Sequence, residues 1–161
     1  ARGSMHRLLG VASLHASTIS GGREFSVYPD QCRLTLERRS LIGESSDVGL
    51  NEVRSVLDEL SLEDTKFEAS VRQLFSRPPH EIESDHPVYR ALVGVLRGRG
   101  LGVQPIGMSF WTDAAILAQA GTPSLLFGPR GAGLHSREEY VEMESVCVCR
   151  DVLVDLAQDF C

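Results

Sequence analysis

With 161 residues, of which 42% are hydrophobic and 24% charged, the chain has the make-up of one ordinary globular unit with a core of useful size. A formal net charge of −6 argues against a nucleic-acid surface and against docking on an anionic membrane. No apolar run reaches the ~18 residues of a membrane-spanning helix, and the N-terminus lacks the apolar stretch of a signal peptide, so a cytoplasmic protein is expected. Gly3-Ser4-Met5 reads as a junction ahead of a start methionine. The four cysteines, Cys32, Cys147, Cys149 and Cys161, lack the Cys-x-x-Cys spacing of zinc or redox motifs and are expected as buried thiols in a reducing compartment.

Residues 11–19 and 24–28 read as strands around a turn at Gly21 and Gly22. Cys32, Leu34 and Leu36 alternate with Arg33, Thr35 and Glu37, which predicts a half-buried strand. After Gly43, Ser45 or Ser46 is the expected N-cap of a helix on which Leu50, Val53, Val56, Leu57 and Leu60 share a face. Phe67, Ala69, Val71, Gln73 and Phe75 then form the inward side of a further strand, stopped by Arg77-Pro78-Pro79. Strand, strand, helix, strand suggests a small α+β sandwich.

Composition shifts between Pro78 and Asp85, which marks a linker and predicts two domains, 1–83 and 84–161. Asp85 is expected to cap a helix carrying Val88, Leu92, Val95 and Leu96 on one face and ending near Gly98 and Gly100. A short helix from Thr112, a buried strand near 123–127 and a helix of about 143–160 complete the chain. The last helix is expected to bury Val146, Cys149, Leu153, Leu156, Ala157 and Phe160. Helix, strand, loop and helix fit an edge portion of an α/β sheet.

The most informative stretch runs from Phe127 to Val141. A short apolar run, Ser124 to Phe127, breaks into a glycine-rich loop that ends on His135. A histidine at such an exit is well placed to ligate a metal; the alternative is a loop histidine held by hydrogen bonds. Gly128, Gly131 and Gly133 would turn backbone N–H groups toward an anionic substrate, or are simply turn glycines. Ser136-x-x-Glu139 reads as a capping box. Thr112 and Asp113 suit a helix N-terminus, as a cap and a favourable charge. Arg39 is either a solvated arginine at a strand end or a fork for a carboxylate. His6, His80 and His86 carry no motif and are expected at the surface.

In order, Gly107 through Trp111-Thr112-Asp113, then Ala120 through Pro123, then the histidine loop, resemble the C-terminal part of the catalytic domain in M20-type metallopeptidases and deacylases. That family includes acetylornithine deacetylases, succinyl-diaminopimelate desuccinylases, aminoacylases and glutamate carboxypeptidases. Ile19 to Gly22, Tyr28-Pro29-Asp30, and Glu37-Arg38-Arg39 continuing to Gly43-Glu44 resemble the family's lid domain. The resemblance implies an α+β lid, an antiparallel sheet with helices in a ferredoxin-like arrangement, joined to the C-terminal segment of an α/β zinc-peptidase catalytic domain. It implies that His135 binds one of two zinc ions, with cobalt or manganese as possible replacements. It further implies that Arg39 binds the substrate carboxylate, that Thr112, Gly128 and Gly131 line the substrate pocket, and that the lid forms a homodimer. Ser26 stands where the family often carries an asparagine that polarises the scissile carbonyl. The reaction implied is amide hydrolysis in N-acyl amino acids or small peptides, with no nucleic-acid or membrane partner.

The family's His-x-Asp ligand pair is absent from the sequence, and the one Glu-Glu pair, Glu138-Glu139, follows the histidine instead of preceding it. The chain is therefore expected to be roughly the last two-fifths of such an enzyme, starting inside the lid, with no general base. Alone it should bind metal weakly and be inactive. The competing expectation is a non-catalytic dimerisation module or a remnant of such an enzyme.

Overall fold

A computed structural model describes residues 5–160. The junction reading of Gly3 and Ser4 and the buried-thiol expectation for Cys161 lie outside the described residues. The chain divides into two units: residues 5–79 with Gly107–Trp111 form the first, and His80–Ile106 with residues 112–160 the second. Among the described residues the strands form three separate two-stranded antiparallel sheets.

The first unit begins with a short hairpin, β1 (Met5–His6) and β2 (Gly10–Val11). His6 Nδ1 accepts the backbone N–H groups of Leu8 and Leu9 at 3.2 and 3.3 Å, and Gly10 supplies a left-handed φ of 74°. The main hairpin follows, β3 (Ser13–Gly21) and β4 (Cys32–Arg39), paired from Gly21↔Cys32 back to Ser13↔Arg39 with an irregularity between Ala16 and Thr18.

Residues 24–28 are not a strand. They form the turns of the long loop that joins β3 to β4. An extended segment needs a neighbour for its N–H and C=O groups, and here β3 and β4 have taken each other, leaving Phe25 and Tyr28 exposed. The half-buried pattern expected of β4 also holds at one end only: Leu36 is half-buried, whereas Cys32 and Leu34 are exposed.

Helix α1 (Val48–Glu63) explains that difference. Arg38 Cβ lies 3.1 Å from where a side chain on Gly49 would start, so the helix meets the Leu36–Arg38 end of the hairpin. Asp47, not Ser45 or Ser46, is the N-cap residue, without a side-chain capping bond, and the Ser45 hydroxyl donates to the Asp47 carboxylate. Leu50, Val53 and Leu57 are half-buried as the periodicity predicts; Val56 and Leu60 are exposed. The strand expected over 67–75 does not form. Among the described residues no strand pairs with it, and Leu74 and Phe75 stay exposed.

In the second unit, helix α2 (Pro87–Gly98) is capped by His86, whose Nδ1 accepts the Val88 N–H at 3.3 Å, rather than by Asp85. Pro87 occupies the first turn, where its missing N–H costs nothing. The far end closes on Gly100 at φ 69°, with Leu101 N–H donating to Leu96 O at 2.9 Å. Helix α3 (Ala114–Gln119) is short and buries Ala114 and Ala115. Helix α4 (Met143–Phe160) packs on α2. Leu92, Val95, Leu96 and the fully buried Val152 form the core, with Leu101, Val103, Leu125, Phe127 and Leu156 around it.

The buried stripe of α4 is Ser145, Cys149, Val152 and Leu156, one residue away from the expected Leu153, which is exposed, as is Phe160. With apolar residues at both 152 and 153, the pattern itself does not choose between them; packing against α2 does. Residues 123–127 lie in no ladder, yet Leu125 and Phe127 point to the core while Leu126 is exposed, so the segment is half-buried and not a buried strand. A last small hairpin pairs β5 (Gly131–Ala132) with β6 (Tyr140–Val141).

Candidate functional site

The candidate residues fall into two groups, one in each unit. In the first, strand alternation places Glu37 and Arg39 on one face of β4, with Ser13 and His15 opposite them on β3, and turns Arg38 to the other face. Arg38 is fully engaged. Its Nε and Nη2 donate to the Glu52 carboxylate at 2.9 and 2.8 Å, and its Nη1 and Nη2 donate to Glu44, the latter at 2.9 Å. Glu44 also accepts the Leu41 N–H at 2.6 Å. The Arg38 guanidinium, bonded foremost to Glu44, holds the Glu44 carboxyl below its ordinary pKa, and Glu44 and then Glu52 push Arg38 higher still. With a side chain only 11% exposed, Arg38 is a structural tie between β4 and α1.

Arg39 is different. Its Nε donates to Glu37 Oε1 at 2.7 Å, and its Nη1 donates to the carbonyl and hydroxyl oxygens of Ser109 at 2.9 and 3.3 Å. The side chain remains 38% exposed, so a ligand can reach it. Ser109 lies on the Gly107–Trp111 segment of this unit. Gly107 must be glycine there, since a Cβ would stand 2.6 Å from the Leu8 carbonyl oxygen. Trp111 lies under the Arg77 guanidinium, 5.2 Å from ring centre to carbon, a cation–π contact. Ser26 sits exposed in the loop at the opposite end of the hairpin. Seven residue steps of β4 separate that end from Arg39, about 23 Å at strand rise. The fold does not bring Ser26 and Arg39 together.

In the second unit His135 lies in the turn between β5 and β6. Its φ is 62°, the single non-glycine positive value among the described residues. Left-handed backbone is costly for a residue with a Cβ, and such outliers gather at functional sites. The turn is tied from several sides. Ser136 N–H donates to Gly133 O at 2.7 Å, His135 N–H to Glu139 Oε2 at 3.2 Å and Glu138 N–H to Ser136 Oγ at 3.2 Å. The expected capping box does not form: Ser136 Oγ accepts from Glu138 and the Glu139 carboxylate from His135, and no helix follows, because Tyr140 and Val141 return to pair with Ala132 and Gly131.

Gly133 has φ 75°, and a Cβ on Gly131 would lie 2.2 Å from the Tyr140 carbonyl oxygen, so these glycines serve backbone approach. Gly128 is exposed with open space around it. Thr112 is half-buried and its carbonyl accepts the Ala115 N–H at 3.2 Å, but Asp113 is the N-cap residue of α3, and its side chain makes no capping bond.

Sequence reasoning missed Glu37 and Ser109 as partners of Arg39. The two-residue spacing of Glu37 and Arg39 was a usable signal; nothing in the sequence pointed to Ser109. It also misplaced the histidines. His80 is half-buried and its Nε2 donates to the Ser124 carbonyl at 2.7 Å, while His86 caps α2 and His6 accepts two N–H groups of the β1–β2 turn. The cysteine expectation is corrected too: Cys149 is buried, but Cys32 and Cys147 are exposed, because α4 turns only its 145–149–152 stripe inward and the Cys32 end of β4 projects past α1.

A catalytic zinc takes about three protein ligands. Among the described residues no group of three or more His, Cys, Asp or Glu side chains could hold a metal ion. His135 is one imidazole donor, so the described residues do not fit a self-contained zinc centre. No helix among the described residues is long and apolar enough to cross a membrane.

Three likenesses bear on these residues. Residues 6–159 match the profile of peptidase family M20/M25/M40. An acetylornithine deacetylase from Myxococcus xanthus is 27% identical over 150 residues, which cover 92% of this chain and 38% of that protein. The crystal structure of the aminopeptidase PepT from Bacillus cereus ATCC 10987 superposes with a TM-score of 0.75 at 16% identity, covering 96% of this chain and 41% of PepT. The chain thus spans about two-fifths of the length of each of these relatives.

Proposed function

The chain belongs to peptidase family M20/M25/M40, and on that footing we propose that it is the C-terminal part of a metal-dependent amidohydrolase acting on N-acyl amino acids or small peptides. The observation that carries this reading is a family match running without a break through both the Arg39 strand and the His135 turn. The first unit, with its antiparallel hairpin and α1, is read as most of a ferredoxin-like lid, so that residues 1–83 and 84–161 correspond to lid and catalytic portions. Arg39 anchors the substrate carboxylate through its guanidinium fork, and Thr112, Gly128 and Gly131 contribute to substrate binding, whereas Ser26, at the far end of the hairpin from Arg39, is left out of that site. His135 supplies one ligand to a two-zinc centre, or to cobalt or manganese in its place. The remaining ligands and the general base come from residues this sequence does not contain. The exposed thiols of Cys32 and Cys147 suit a reducing cytoplasm.

The test is complementation. The 161-residue chain with added zinc should not hydrolyse an N-acetyl amino acid. Mixed with a polypeptide carrying the family's His-x-Asp and Glu-Glu motifs, it should gain activity. That activity should vanish with His135→Ala, and its KM should rise with Arg39→Lys, since an ammonium cannot reproduce the fork. Hydrolysis by the chain alone, or no gain on mixing, would refute the reading; the second result would leave a dimerisation module. The lid also predicts a homodimer. Among the described residues β3 pairs only with β4, and Leu14 and Ile19 are exposed on it. Sedimentation as a strict monomer at tens of micromolar, roughly the range where weak dimers form, would count against that.

A further inference from the structure

A guanidinium offers a carboxylate two bidentate edges, Nε with Nη2 along its side and Nη1 with Nη2 at its end. Arg38 has both in use, Glu52 on the side and Glu44 at the end. On Arg39 each edge already has a donor engaged: Nε by Glu37, and Nη1 by both the carbonyl and the hydroxyl oxygens of Ser109. An incoming carboxylate therefore forms a two-bond fork only by displacing one of them. Ser109 is the harder to move, because its contact is a backbone carbonyl on a segment seated against Leu8 through Gly107. Glu37 is a side chain, 54% exposed, and exchanges its bond for water at little cost.

Resting on the reading of Arg39 as the substrate-carboxylate arginine, we infer that Glu37 is a specificity-determining residue that competes internally for Arg39. A bound carboxylate takes the side edge, and the displaced Glu37 carboxylate stays two residues along the same strand face, beside the ligand. There it repels a second carboxylate and attracts an ammonium. Opposite Arg39 and Glu37 on that face, Ser13 and His15 are hydrogen-bonded to each other at 3.1 Å, and the next cation along it, Arg33, stands four residues from Glu37 beyond Thr35. The favoured ligand class is an N-acyl amino acid with one carboxylate and a cationic side chain; the disfavoured class is an N-acyl dicarboxylate.

The test uses the whole chain and NMR, following the Arg39 side-chain Nε–H, assigned by its loss in Arg39→Lys, together with the backbone amides of Ser109 and its neighbours, which report binding in Arg39→Ala as well. Three probes are titrated: N-acetylglycine, N-acetylglutamate and Nα-acetyl-lysine. Wild type should bind Nα-acetyl-lysine best and N-acetylglutamate worst. Glu37→Gln should tighten N-acetylglycine by about two- to fivefold, the range that exposed ion pairs are worth, and N-acetylglutamate by more. It should also erase the preference for Nα-acetyl-lysine. Glu37→Ser should do the same, and the spectrum itself reports that each variant is folded. If Arg39→Ala abolishes binding but both Glu37 variants keep wild-type affinities and order, this inference fails and the role of Arg39 stands. If Arg39→Ala binds like wild type, or no probe shifts Arg39 in any chain, both fail.

Discussion

Glu44 ties three parts of the first unit together, and its removal should be felt across that unit. Its carboxylate accepts two bonds from Arg38 and the backbone N–H of Leu41, which is the residue most deeply buried there, at 4% exposure. Glu44→Ala leaves Arg38 with Glu52 alone and strands the Leu41 N–H. A hydrogen bond to a charged group is worth about 1.5–3 kcal/mol, and a stranded buried donor costs about 1–3 kcal/mol. These terms overlap, since water reaches part of the cavity left behind, so a net loss of about 2–4 kcal/mol is expected.

The assay is urea unfolding followed by Trp111 fluorescence. Trp111 is the single tryptophan and belongs to the same unit, where it packs against Arg77, so it reports on that unit. The pH dependence has a definite sign. Folding lowers the Glu44 pKa, so its contribution is complete above the ordinary carboxylate value of about 4.3 and fades as pH falls through the lower folded value. Wild type and Glu44→Gln should therefore differ at neutral pH and converge in acid. A loss under about 0.5 kcal/mol in Glu44→Ala, or a gap that persists undiminished in acid, would show that the Arg38 tie is incidental.

In the histidine turn, Gly133→Ala must place a Cβ 2.5 Å from the Glu138 carbonyl at φ 75°, so it should cost about 1–3 kcal/mol and speed amide exchange at Ser136. Unchanged exchange would mean the turn relaxes freely. His135→Gly should leave stability unchanged or raise it by up to about 1 kcal/mol, because it removes a left-handed Cβ penalty, while lowering the metal content of the complemented enzyme. A clear loss of stability on thermal unfolding would show that the imidazole holds the turn together.

The parts of the fold that could be read from sequence are those whose stabilising contacts are local. Helices α2 and α4 were legible because Leu92, Val95 and Leu96 repeat at helical spacing and Gly100 supplies a left-handed stop. The strands expected at 24–28, 67–75 and 123–127 were not fulfilled, since alternation says only that a segment can pair, not that a neighbour exists. Capping was misread three times, at Ser45, Asp85 and Thr112, each time by a residue or two. At Asp47 and Asp113 no side chain takes a helix N–H and the backbone dihedrals alone set the start; only at His86 does a side chain, the imidazole, accept one. Of the candidate site, the residues His135 and Arg39 were found, whereas the strain on the one and the Glu37 and Ser109 contacts of the other depend on tertiary placement.

The order in which the units are threaded has a consequence for synthesis. Residues 5–79 are translated before Gly107–Trp111, which brings Ser109 to Arg39 and Gly107 to Leu8 but follows α2 and its flanks. At about 5–20 residues per second the nascent first unit waits seconds with Arg39 unanchored and the Leu8 backbone uncovered. Cutting the gene at the residue 79 boundary would make that transient state permanent, so the two units cannot be produced as separate consecutive pieces without losing the setting of Arg39.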